Sequence, residues 1–93
     1  MSLKFEWHPR KAIHNRRKHQ VSFEEASTVF ADPLSATVPD IDHSVEEERY
    51  ITIGYSEQRR LLIISHTERN NRIRIISARE LTPRERLEYE NEF

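Results

Sequence analysis

The sequence predicts one α+β domain over residues 1–93: a short N-terminal strand, two helices, an antiparallel meander of three or four strands, and a C-terminal helix. Three observations carry that expectation. Two helix-start signals, "VSFEEA" at 21–26 and "LTPRE" at 81–85, flank the middle of the chain. Between them lie "RYITIGY", "LLIISHT" and "RIRIISA", runs rich in β-branched residues and separated by gaps of hairpin length. Size is the third: 93 residues, 35% of them hydrophobic, can cover one sheet face and a few helices but cannot build two cores.

Each element has its own reason. "LKFEW" (3–7) alternates as a first strand and stops before Pro9, which cannot donate to a ladder yet suits the first turn of a helix. The first helix is expected from Pro9 to about His19, with Ala12 and Ile13 facing inward and Arg10, Lys11, Arg16, Arg17 and Lys18 crowding the rest. Ser22 is the expected N-cap of the second helix. Glu25 would close its capping box, Val21 would staple against Ala26, and Phe23, Ala26 and Phe30 would line one face. Pro33 ends that helix by pushing Asp32 out of the helical region. A short strand is expected near Leu34 to Val38, followed by an acidic loop with "EEE" at 46–48. The meander comes next, with "SEQRR" and "ERNN" as its turns. Thr82, Pro83 and Glu85 then repeat the capping logic for the last helix. The helices are placed on one face of the sheet, so the other face is expected to stand open.

Composition narrows the function. With no cysteine there are no disulfides or thiolate metal sites, and a reducing cytoplasm is the expected setting. "MSLKFEWHPR" has no apolar signal region, and no stretch approaches the roughly 20 apolar residues that span a bilayer. The five histidines show no ligand spacing such as HExxH, so neither a metal nor another cofactor is expected.

The net charge of −1 conceals segregation. Residues 1–20 carry six basic and one acidic side chain, 21–50 one and eight, 51–79 six and two, and 80–93 two and five. Such a chain can offer a positive surface to a polyanion while its pI stays near neutral. Arginines in a strand sharpen the point, because a charge at a paired, half-buried position is costly. Arg72 and Arg74 can stand on the open face while Ile73 and Ile75 anchor the core, and arginine's planar fork suits phosphate. Any one of these arginines is accounted for by an ion pair with the "EEE" loop or the acidic last helix. Arg69, Arg72, Arg74 and Arg79, with His66 one strand earlier, exceed what solubility requires.

Cleaving RNA without a metal needs a base for the 2′-hydroxyl, a cation for the extra phosphorane charge and an acid for the leaving oxygen. The candidate catalytic set is His66, Glu68, Arg74, Arg79 and Tyr89. His66 and Glu68 share a strand face by their two-residue spacing. Lys11, Arg16, Arg17, Lys18, His19, Arg69 and Arg72 form the candidate RNA-gripping set. A lone strand histidine is otherwise a hydrogen-bonded packing residue, and that reading of His66 stays open.

The series "FEW", Asn15-x-x-Lys18-His19, "VSFEEA", "ERYITIG", "HTER" and "RIRIISAR", in that order, resembles the BrnT family of bacterial toxins across nearly the whole chain. The resemblance implies a RelE-like fold and a ribonuclease activity that inhibits translation. It also implies a BrnA-type antitoxin that carries the operator-binding domain, so that operator DNA is met only through that partner. A homodimer or a heterotetramer with the antitoxin would fit. Two positions depart from the family pattern: His8 stands where an acid is usual, and Gln20 where glycine is usual. Glycine takes a left-handed helix end cheaply, so Gln20 predicts a small strain or a different turn.

A non-catalytic module using the same basic surface on nucleic acid or an acidic protein is the alternative. Its helix-turn-helix form is disfavoured, because the second helix opens with Phe23, Glu24 and Glu25 and would repel phosphate.

Overall fold

The computed structural model describes residues 3–92. Its elements are β1 (Phe5–Glu6), α1 (Pro9–His19), α2 (Phe23–Thr28) running into a 3-10 turn at Val29–Ala31, β2 (Ala36–Pro39), a second 3-10 turn at Ile41–His43, β3 (Arg49–Tyr55), β4 (Leu61–Arg69), β5 (Arg72–Glu80) and α3 (Pro83–Glu92). The class is the expected α+β. The sheet has five strands in the order β1-β5-β4-β3-β2. Strands β2 to β5 form the antiparallel meander, and β1 returns to lie parallel beside β5, with Phe5 opposite Ile73 and Glu6 opposite Arg74.

The helix ends explain themselves residue by residue. His8 takes the cap position of α1, its Nδ1 accepting from the Arg10 N–H at 3.1 Å. Gln20 ends α1 in the left-handed region, φ 56 and ψ 32, where glycine would be free of strain. Ser22 caps α2 as expected, its Oγ accepting from the Glu25 N–H at 3.0 Å. Glu25 does not close that capping box. It is buried and turned inward, where Ser56 donates to it at 2.7 Å and Arg60 holds it with both arms of its guanidinium. Those hydrogen bonds, Arg60's foremost, hold its carboxyl below the usual carboxylate range. The box does close at α3, where Thr82 N–H donates to Glu85 Oε1 at 2.9 Å and Glu85 N–H to Thr82 Oγ1 at 3.2 Å.

Strand β2 begins two residues later than the sequence predicts. Asp32 explains the delay: its carboxylate accepts from Leu34 N–H at 2.9 Å and its carbonyl from Ser35 N–H at 3.0 Å, which wraps 32–35 into a turn. Gly54 of β3 passes that turn so closely that an added Cβ would lie 2.8 Å from Ser35 Cβ. The β4–β5 hairpin turns on Asn70 and Asn71, both with positive φ (53 and 62), as asparagine tolerates.

Val21, Phe23, Ala26, Val29, Leu62, Ile64, Ile75 and Ala78 form the core, flanked by Phe5, Trp7, Ala12 and Phe30. Ile75 and Ala78 are three apart, so an uninterrupted strand would put them on opposite faces. A bulge resolves the conflict: Ser77 pairs with Ser65 and Ile75 with His66, leaving Ile76 as the extra residue. The helices do not all share one face of the sheet, contrary to the expectation from the sequence. Helices α1 and α2 cover the core side. Helix α3 lies on the opposite side, where Leu81, Glu85 and Tyr89 line a cleft with Ile53 and Ile63. No residue of α3 is buried, and it is held mainly by polar ties. Arg79 holds Glu85 at 2.7 and 2.9 Å, Arg86 donates to the Tyr55 hydroxyl at 3.2 Å, and the Tyr89 hydroxyl donates to the Leu34 carbonyl at 3.2 Å.

Candidate functional site

The five candidate catalytic residues are not brought together. His66 faces the helix-covered side of the sheet and is 5% exposed. Its Nε2 shares a 2.7 Å hydrogen bond with Thr52 Oγ1, which lies 2.7 Å from Thr37 Oγ1. The Phe30 ring meets its ring edge-on at 5.0 Å, and Tyr50 stacks on it at 5.9 Å. Burial lowers its pKa to about 4, so it is neutral at pH 7 and shielded from any polymer. The packing reading of this histidine is the one its surroundings match. Glu68 is exposed near the end of β4, and among the described residues no hydrogen bond joins it to His66.

The bulge puts Arg72, Arg74 and Arg79 on the other face of the sheet, beside Arg69, Thr67 and Ile63 respectively. Simple alternation would have set Arg79 with Ile73 and Ile75 in the core. Most of these arginines have carboxylate partners. Arg74 donates to Glu6 at 2.7 Å across the β1–β5 pair, Arg69 lies 3.6 Å from Glu47, and Arg79 is gripped bidentately by Glu85. Hydrogen bonds from Arg79 and Thr82 hold the Glu85 carboxyl down to about 2. Among the described residues, Arg72 makes no ion pair. Tyr89, the last candidate, stands on α3 with its hydroxyl on the Leu34 carbonyl, where burial raises its phenol pKa.

Helix α1 differs from the sheet. Arg10, Lys11, Arg16, Arg17 and Lys18 are all exposed, and among the described residues none of them is in an ion pair. At its last turn stands half-buried His19, near enough to feel the charge of Arg79. Partial burial, with the charges of Lys18, Arg79 and His14, lowers its pKa below the ordinary histidine value. The α1–β5 junction therefore holds a neutral imidazole among cations, next to an arginine fork already shaped around two oxygens. A neutral histidine can accept a proton, and the cations can hold the negative charge of a phosphate.

Sequence reasoning placed His19 only among the gripping residues and missed that the charge of Arg79 reaches it. The available signal was the Asn15-x-x-Lys18-His19 series, since asparagine is a poor choice for a helix interior unless its side chain has work inside. Asn15 is buried and hydrogen-bonded to both Val21 and Ala78.

A cleft of about 640 Å³ lies by the β2–β3 loop, lined by Asp42, His43, Val45, Glu46, Glu47, Arg49 and Arg69. Helix α2 is no DNA reader, because Phe23, Glu25 and Ala26 are buried in the molecule. Among the described residues no three His, Asp or Glu side chains converge as metal ligands would, and no helix is long and apolar enough to cross a membrane.

The sequence matches the family described as "Ribonuclease toxin, BrnT, of type II toxin-antitoxin system" over residues 7–85. Among curated proteins none matches. The crystal structure of the Brucella abortus ribonuclease toxin BrnT shares its fold, with a TM-score of 0.67 at 17% identity over 87% of this chain and 99% of that one. The profile covers both the basic α1 and the β5 strand with Arg79, and the chain belongs to the BrnT family of ribonuclease toxins of type II toxin-antitoxin systems.

Proposed function

We propose that this chain is a cytoplasmic endoribonuclease that cuts RNA by metal-independent attack of a 2′-hydroxyl, inhibits translation by doing so, and is neutralised by a BrnA-type antitoxin. The observation that carries the reading is the row of exposed cations along α1, none of them in an ion pair among the described residues, on a helix that Asn15 pins to β5 at Ala78 and that ends at His19, within reach of the charge of Arg79. In this reading Lys11, Arg16, Arg17 and Lys18 hold the RNA backbone, with Arg72 and Arg69 extending the track along the sheet. Neutral His19 takes the 2′-hydroxyl proton as the 2′-oxygen bonds to phosphorus, Arg79 stabilises the extra phosphorane charge, and the P–O5′ bond breaks with the leaving 5′-oxygen protonated by solvent water. The proton-transfer role passes from His66 to His19, because His66 is walled in by Phe30, Tyr50 and Thr52. Arg74 serves the sheet edge through Glu6. Glu68 stands exposed near the end of β4, and Tyr89 lies one turn along α3 from Glu85, the partner of Arg79.

The antitoxin acts most directly by covering α1 and the junction, since that is the surface RNA needs. One assay tests the whole reading. Purified protein should cut RNA undiminished in excess EDTA, leave 2′,3′-cyclic phosphate ends, and lose activity when the antitoxin is added, with RNA and antitoxin competing. Activity abolished by EDTA and restored by a single divalent ion would overturn the 2′-hydroxyl mechanism. A stable ternary complex of toxin, antitoxin and a non-cleavable RNA would overturn the competition.

A further inference from the structure

We propose that Asn15 is a positioning residue, whose side-chain amide fixes the register of α1 on β5 and so sets the place of His19 relative to Arg79. The claim rests on the site just proposed and names what holds it in place.

Strand β1 is only two residues long and pairs with β5 at Ile73 and Arg74 alone. Past that point, among the described residues, the outer edge of β5 has no strand neighbour. Ala78 nevertheless has both of its outward backbone groups satisfied by one side chain. Asn15 Oδ1 accepts from Ala78 N–H at 3.1 Å, and Asn15 Nδ2 donates to the Ala78 carbonyl at 2.8 Å. The amide thus pairs with β5 as a strand residue would. Its second N–H goes to the Val21 carbonyl at 3.0 Å, just past the left-handed turn at Gln20. One side chain, 4% exposed, ties together α1, the turn that ends it and β5.

The positions it ties are the ones the site needs. His19 lies four residues after Asn15, one helical turn along the same side of α1, and Arg79 directly follows Ala78. Rotation or slippage of α1 would separate the imidazole from the guanidinium. No other side chain type of that size offers one acceptor and two donors: aspartate cannot donate, and leucine does neither. The groups that set the charge around His19 are His14 and Lys18 from α1 and Arg79 from β5, the last itself paired with Glu85 of α3.

The test follows the imidazole signals of His19 by NMR as pH is varied, using the full chain as wild type, Asn15→Ala and Asn15→Gln. The glutamine variant keeps the amide but carries it one methylene further out. Val29→Ala serves as a control that loses stability through a core cavity away from the junction. In both Asn15 variants His19 is expected to titrate at higher pH than in the wild type, while Val29→Ala leaves it unmoved. RNA cleavage should lose about tenfold in kcat with KM changed less than about twofold, because positioning acts on the reacting geometry rather than on grip. Folded Asn15 variants in which His19 titrates as in the wild type would overturn the proposal. So would two variants that both fail to fold, since the amide would then be building the domain rather than aligning its site. The titration needs no RNA, so it decides the role of Asn15 separately. Normal cleavage by His19→Ala would instead sink the site itself.

Discussion

Two histidines of this chain have lowered pKa values for different reasons, and their surroundings give them different work. His66 is lowered by burial alone, among Phe30, Tyr50 and Thr52. His19 is lowered by partial burial first, and by the charges of Lys18 and Arg79, with His14 adding to them, at the half-exposed end of α1. A neutral imidazole walled off from solvent is a packing residue. A neutral imidazole facing cations at the surface is placed to take a proton from a bound phosphodiester's sugar.

The largest effect that separates the two is on stability. Burial holds the folded-state pKa of His66 near 4, against an ordinary value of 6.5. The native state then binds fewer protons than the unfolded chain, so the contribution of His66 is complete above pH 6.5 and is lost as pH falls towards 4. The wild type should lose about 3 kcal/mol more than His66→Gln over that interval, measured by urea unfolding at pH 7 and pH 4. Glutamine can keep a hydrogen bond to Thr52 without titrating. Parallel pH profiles in the two proteins would mean that His66 is not held neutral by its burial.

The second effect is catalytic. Arg79→Ala should cut RNA about tenfold more slowly or worse, because a phosphate contact in a partly desolvated site contributes 1 to 3 kcal/mol or about that. Arg74→Ala should cost less activity, since Arg74 is committed to Glu6 at the β1–β5 edge. Equal losses in the two variants would show that the track along the sheet, not the junction, grips the scissile phosphate.

The smallest effect concerns Glu85, which holds the Arg79 fork. Both partners are about one-third exposed, so their ion pair is partly screened and Glu85→Gln should change stability by less than about 1 kcal/mol. Freed of its carboxylate, Arg79 should bind RNA more tightly, with KM falling about twofold. A rise in KM would show that Glu85 orients the arginine rather than competing for it.

The fold was largely legible because its signals are local. Ser22 and Thr82 announce their helices, Asn70 and Asn71 their hairpin, and the isoleucines of β3 to β5 their strands. The partner of β1 and the face taken by α3 were not legible, since both depend on which distant residues meet. The site was half legible. Its residue types stood in the sequence, but the bulge at Ile76 moves Arg79 to the opposite face from the one that alternation assigns. A one-residue bulge has no strong sequence signal here, because isoleucine suits either face. The inward turn of Glu25 was hidden for a related reason: Arg60 is 35 residues away and outcompetes the local cap.

The comparison between the two histidines is decided most directly by measuring the cleavage of one RNA by His19→Ala and His66→Gln at pH 7, each first shown to be folded by circular dichroism. Loss of a general base costs about a hundredfold or more. The account predicts that loss in His19→Ala, with His66→Gln within about threefold of the wild type. A full rate in His19→Ala, with the hundredfold loss in His66→Gln, would contradict it.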